Sequence, residues 1–423
     1  MDGLTQCPSR YKLLCNALAV VLAVAAVPAM ASSLEQAKHI HDRLAGVPPS
    51  ANVLLAMQTK IDSSNAIGAA YDAMNNPAFY NATLKNWAAP WTNRDDDKFA
   101  PLNDYSATVI GIVRDSVDYR KVLYGDIIYV GAPGVVSANY SNSDNNHYLQ
   151  LEANDINLGD TTKLVQRTQS SVTGLTATAT AGVITTRAAA RAFFIDGTNR
   201  AMFRFTLKNH LCNDMEQVQE TTRPTDRIRQ DVSRSPGGDS RIFMNTCVGC
   251  HSGMDPMAQA FAFYNFKYDT AAADQDAAKE AGRLTYKDSE TGTGLGGTEK
   301  KYHINFNHFV EGYVTPDDHW DNYWRSGPNT AIFGWGNSHV AATSAAHTTD
   351  GIYGDAGAKS MAEELANSEA FAVCSVKKVF KVVCLRDPAA ADQSAFTTML
   401  NNFKSGYDLK HTFAEAAVYC SGT

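Results

Sequence analysis

A chain of 423 residues that is 44% hydrophobic and 19% charged has the composition of a globular protein, long enough for two or three domains of ordinary size. Its formal charge of -7 leaves no basic surplus to follow a phosphate backbone, which excludes nucleic acid as an expected partner. Eight cysteines are too few for a disulfide scaffold of this length and enough for a covalent cofactor site plus staples.

The first 31 residues read as an export signal. Arg10 and Lys12 precede an apolar run from Leu13 to Val27, and Ala29-Met30-Ala31 has the small-residue pattern of a cleavage site, so cleavage is expected after Ala31. The run is about 15 residues, short of the roughly 20 that span a bilayer, and no other stretch qualifies, so no transmembrane segment is expected after cleavage. Cys7 and Cys15 leave with the signal. Six cysteines remain: Cys212, Cys247, Cys250, Cys374, Cys384 and Cys420.

The mature chain opens with Ser32 or Ser33 as a helix cap, apolar Leu34, Ile40 and Leu44, and a stop at Gly46-Val47-Pro48-Pro49; Ser50 to Met57 starts a second helix. Residues 75–101 are polar and aromatic with many turn formers, Ser106 to Leu123 has helical periodicity, and Tyr124 to Val136 reads as loop. A short helix is expected over Thr185 to Arg191. Phe193, Phe194 and Ile195, then Asp196-Gly197-Thr198-Asn199, then Met202, Phe203 and Phe205, predict a β-hairpin near 192–207. Ser233 to Asp239 reads as a linker closing a mostly helical N-terminal domain over 32–232, and residues 240–423 follow as a second domain.

In that second part Ser240 is a candidate cap for a helix carrying Ile242 and Phe243. Asp255-Pro256 has the form of an N-cap followed by proline at the first helical position, with Met257, Phe261 and Tyr264 on one face of the new helix. Residues 285–357 read as an irregular insertion, and Trp320, Trp324 and Trp335 predict that it packs as a structured cover. Helices return over 358–423: Val376, Val379, Phe380 and Val383 keep a 3.6 period, Asp387-Pro388 ends it, and Phe396, Met399, Leu400 and Phe403 restart it. The expected fold is therefore mainly α, with a small hairpin in the first part and a long irregular insertion in the second.

The chemistry concentrates at Cys247-Val248-Gly249-Cys250-His251. Two thiols three positions apart can each add to one vinyl group of a haem, and the histidine that follows is placed to bind the iron, so one covalent haem c is expected on Cys247, Cys250 and His251. A redox dithiol would want a preceding strand in a βαβ context, and a zinc site a second Cys or His pair at close spacing. For the opposite face of the iron, Met254 and Met257 are too close to His251. Met361 is favoured, followed by His339 and His303, with His308, His319, His347 and Met399 also available. Cys212, Cys374, Cys384 and Cys420 allow three disulfide pairings, among which the sequence does not choose. Asp95-Asp96-Asp97 and Asp317-Asp318-His319 read as solvated acidic loops, His39 and His41 point to opposite sides of a helix, and no G-x-S-x-G elbow suggests a hydrolase.

The stretch CVGCHSGMDPMAQAFAFYNFKYD, residues 247–269, resembles the haem-binding segment of planctomycete-type cytochromes c, in which C-x-x-C-H is followed closely by an acidic-Pro pair and an aromatic-rich helix. The tail from Met361 through Cys420 is similar to the helical domain that closes such proteins, with fainter echoes at 41–50 and 115–131; the Trp-rich segment 285–357 departs from the pattern. The resemblance implies an exported monohaem cytochrome with a cytochrome c-like haem domain. From the motif itself the first expectation is electron transfer with a redox partner protein in the periplasm or cell envelope. Two rival classes stand beside it: a haem enzyme of peroxidase or oxidase type with an open iron face, and an envelope binding protein in which the haem is accessory.

Overall fold

The helix signals at the start of the mature chain are strong enough to act locally. The computed structural model describes residues 32–195, 199–287, 312–313, 315–335 and 353–422. The expected export signal, the hairpin turn at 196–198, and His303, His308, His339 and His347 lie outside the described residues. Ser32 caps the helix Ser33–Ala45 in a reciprocal box with Glu35, and Gly46 closes it at φ 70°, a left-handed value that glycine adopts without strain. Ser50 caps Ala51–Asp62. Ile40 and Leu44 are buried with Ala37 and His41 on one stripe, whereas Leu34, in the first turn of the helix, is exposed.

Asp104–Arg114 is a central helix whose every residue is buried, capped by Asn103. It ends eight residues or more before the periodicity does: Asp115 terminates it, and a separate short helix, Lys121–Tyr124, carries Val122 and Leu123 into the core. Gly111 lets the Tyr129 ring lie on the helix, since a Cβ there would come within 2.1 Å of it. Tyr129 belongs to a strand, Ile128–Gly131, inside the region expected to be loop. It pairs antiparallel with Leu164–Arg167 in the register Ile128 to Arg167. Two more antiparallel pairs occur, Tyr264–Lys267 with Arg283–Tyr286 and His319–Asp321 with Tyr353–Ala356. The rest is predominantly helical, as the composition of the elements implied.

The hairpin expected near 192–207 is replaced by two helices, Arg187–Phe193 and Arg200–Thr206. The first ends at Phe193 and the second begins at Arg200. Met202, Phe203, Thr206 and Leu207 recur at helical spacing and are buried, and Phe193 stacks on Phe205 at 4.5 Å between centroids. Similarly, Tyr264 is not on a helix with Met257 and Phe261. The chain leaves the helix at Ala258, turns through Gln259–Phe261 and enters a strand.

The last helices, Gly357–Ala366, Glu369–Cys384, Gln393–Gly406 and Leu409–Ser421, fall where the periodicity places them. One hydrophobic core runs through residues on both sides of the 233–239 linker; Phe79 meets Phe413 edge to face at 5.3 Å. The helix Ser33–Ala45 packs on Leu409–Ser421. Two disulfides staple this arrangement, Cys212 to Cys374 and Cys384 to Cys420, closing loops with separations of 162 and 36 residues. Trp320, Trp324 and Trp335 are all buried, so the described part of the Trp-rich segment is packed against the core.

Candidate haem attachment site

The motif is delivered by one nearly continuous rod. Asp239, not Ser240, supplies the cap by accepting from the Arg241 N–H; Ser240–Ile242 runs into a π-helical turn, Phe243–Cys247, and then into the helix Val248–Ala258. Cys247, Cys250 and His251 therefore sit within about one helical turn on the same rod, which is the order a two-point covalent attachment plus an axial ligand needs. Cys247 borders a small apolar cluster of Ile228, Val232, Phe243 and Val248, while Cys250 borders the main core. Both are free thiols, although the other four described cysteines pair. Burial pushes the Cys250 thiol up from its ordinary value, which favours the protonated form.

Pro256 lies inside the helix, so Asp255 does not cap a new one. Proline there removes one hydrogen bond to the preceding turn, and Asp255, one turn after His251, points its carboxylate into the protein instead. Its Oδ1 lies 3.1 Å from His251 Nδ1. Arg200 grips the same carboxylate with two donors, Nε to Oδ1 at 2.6 Å and Nη2 to Oδ2 at 3.0 Å, and the Arg229 N–H donates to Oδ2 at 3.1 Å. Arg200 is held in turn by Asp231, with Nη2 to Oδ1 at 2.6 Å. Burial raises the Asp255 carboxyl, but Arg200, His251 and Arg229 together outweigh it and hold it well below the usual carboxylate range.

An ionised Asp255 can only accept, so Nδ1 of His251 donates, and in the neutral imidazole Nε2 is the nitrogen left to bind a metal. That is the carboxylate–histidine pairing by which proteins fix the tautomer and orientation of a metal-binding imidazole. Beside the motif lies a cavity of about 520 Å³ bordered by Cys250, Met254, Met215, Arg200, Arg204 and Phe205. On another side the helix is clamped by Trp324: a Cβ at Gly253 would come within 2.0 Å of the indole. Trp324 stacks on Phe333 at 5.4 Å, which stacks on Trp335 at 4.8 Å.

Met361 is fully buried in Gly357–Ala366. That helix packs on Lys121–Tyr124 and on the turn Gln259–Phe261, the element it shares with the motif helix. The preceding stretch, Gly354 to Ala356, is paired strand, with Ala356 opposite His319. Met215, which the sequence offers no reason to single out, lines the motif's cavity. His41 and His147 are satisfied inside the fold by Val47 O and by Ala138 O and the Gly131 N–H respectively, and His39 is exposed. Asp317 is used locally, accepting from the His319 N–H, and Asp96 pairs with Lys208. Among the described residues no group of three or more His, Cys, Asp or Glu could hold a metal ion.

The donor set, two free thiols and an imidazole oriented by Asp255, is of the kind that holds a haem; of the motif only Cys250 borders the cavity, and Arg200 and Arg204 at its edge are paired with Asp255, Asp231 and Asp214. Comparison adds no relative. The chain matches no protein-family model, no curated protein and no solved structure. Its reading rests on its own residues.

Proposed function

We propose that the protein is an exported monohaem c-type cytochrome that carries electrons in the periplasm or cell envelope. The observation that carries this is the His251 to Asp255 hydrogen bond at 3.1 Å, set one residue after a pair of free thiols in C-x-x-C-H order. Cys247 and Cys250 would tether the porphyrin through thioethers, and Nε2 of His251 would bind the iron. A haem held there supplies a one-electron couple near the protein surface. The chain's own part is to hold the imidazole as the Nδ1–H tautomer through Asp255, itself fixed by Arg200, and to hold the motif helix in place through Trp324 packed at Gly253. On this reading the chain resembles planctomycete-type cytochromes c, and Met361 or the cavity-lining Met215 supplies the second axial ligand.

Export is supported by Arg10, Lys12, the apolar run and the Ala29-Met30-Ala31 pattern, and two disulfides suit an oxidising compartment. No helix among the described residues is long and apolar enough to cross a membrane.

A second reading, a haem enzyme with an open iron face, is favoured by the same carboxylate. An anionic partner on Nδ1 strengthens the imidazole as a donor and favours the oxidised metal, which suits activation of a bound oxidant better than simple carriage. Optical spectra of the reduced protein separate the two. A six-coordinate low-spin spectrum indifferent to carbon monoxide supports a carrier; rapid carbon monoxide binding overturns it in favour of the enzyme.

A further inference from the structure

A second cavity, of about 850 Å³, opens between the first helix of the mature chain, the 82–91 region and the helix Glu369–Cys384. It shares no lining residue with the cavity at Cys250. Trp87 and Trp91, both in its lining, meet edge to face at 4.5 Å. Val47 and Leu385 stand at its border and are two of the large apolar side chains this protein leaves in solvent; Leu385 is 74% exposed. Both follow helix ends, so neither had to be apolar to form its helix.

The polar groups of this cavity are mostly cationic and incompletely used. Arg43 Nη1 is buried and, among the described residues, has no hydrogen-bond partner. Lys378 lies 4.3 Å from the Trp91 ring centroid and donates to Asn209 O, which engages one of its three N–H groups. Lys98 also lines it, as does Lys381, which is paired with Asp387 at 3.0 Å; the single carboxylate of the lining, Asp42, is paired with Lys38 through Oδ2, and its Oδ1 is buried without a partner among the described residues. Burial lowers the Lys378 ammonium from its ordinary value to about 7, as expected for a cation that lacks an anionic partner at close range. An aromatic floor with a few converging cations, in a volume typical of small-molecule sites, is built for a flat apolar body with one negative end.

The geometry points to a binding site for an aromatic carboxylate, with its ring against Trp87 and Trp91 and its carboxylate between Arg43 and Lys378. The site is independent of the haem reading.

The test is equilibrium dialysis of the full chain against 2-naphthoate and its neutral isostere 2-naphthamide. The expected result is saturable binding of one naphthoate per chain, with the amide weaker by roughly tenfold or more. Lys378→Met and Arg43→Gln should each weaken naphthoate by about tenfold and leave the amide unchanged. Arg43 is partly exposed on a surface helix, so its substitution leaves the fold testable if the Lys378 variant does not express. Equal binding of acid and amide, no saturable binding of either, or parental affinity in the folded variants would each overturn the proposal.

Discussion

Replacing Asp255 by Asn keeps the shape of the side chain and removes its charge, and the consequences can be worked from the contacts. In the parent, the carboxylate accepts from His251 Nδ1, from two donors of Arg200 and from the Arg229 N–H, with essentially no exposure. A hydrogen bond to a charged group is worth about 1.5–3 kcal/mol. Because a negative charge beside the axial imidazole favours the more positive, oxidised metal, losing about half of that preferentially from the oxidised state raises the reduction potential. About 1.4 kcal/mol corresponds to roughly 59 mV for one electron. Arg200 partly neutralises the carboxylate in the parent, which keeps the expected rise near 60 mV and well below the value for an unpaired buried charge. The same variant leaves Arg200 with Asp231 alone and should cost about 3–5 kcal/mol of stability, as breaking a buried pair does. The assay is redox potentiometry of Asp255→Asn with haem content verified, alongside denaturant unfolding. A potential that is unchanged or lower, with haem fully retained, would refute the role assigned to this carboxylate.

Four further outcomes are expected. Acidification should destabilise the parent more than Asp255→Asn: the folded carboxyl lies below its unfolded value, so its contribution is present above the ordinary carboxylate range and is lost as pH falls through the folded value. Lys378 gives a pH dependence of the same sign in a higher window, since its folded value also lies below the unfolded one; stability should rise as pH increases from about 7 toward 10, and Lys378→Met should flatten that rise in urea titrations, with Asp96 and Lys208 the charged neighbours that modulate it. Cys212→Ser with Cys374→Ser should cost about 5 kcal/mol and the Cys384, Cys420 pair about 4, as upper values from loop-closure entropy, read from denaturation midpoints. Gly253→Ala should destabilise by at least about 1–3 kcal/mol because its methyl collides with the Trp324 indole; a neutral effect in chemical denaturation would mean that Trp324 does not clamp the motif helix.

Much of the helical frame is legible in the sequence because its signals are local. Ser32 with Glu35, Ser50, and the Val376, Val379, Phe380, Val383 stripe act within a few residues of where they are read. The three tryptophans of the irregular segment likewise announce burial by their size. What escapes is decided by distant partners. Asp-Pro satisfies the local form of a helix start, and only Arg200 and Arg229, 55 and 26 residues away, make Asp255 a buried acceptor within a continuing helix. The i, i+4 spacing of His251 and Asp255 is the one sequence signal that could have found it. The aromatic runs on either side of residues 196–197 are helical where strands were expected, because short aromatic runs fit strand and helix equally until their burial is known. The choice among three disulfide pairings is purely spatial, as is the meeting of Trp87, Trp91, Arg43 and Lys378.

Covalent haem is the claim on which the functional account stands, and a pyridine-haem spectrum of the denatured, acid-acetone-extracted protein tests it most directly. The account predicts one haem per chain retained by the polypeptide with the spectrum of a two-thioether adduct, and Cys250→Ala changes that spectrum. Haem that extracts into the solvent, or a purified mature protein from an export-competent host with no haem at all, would contradict it.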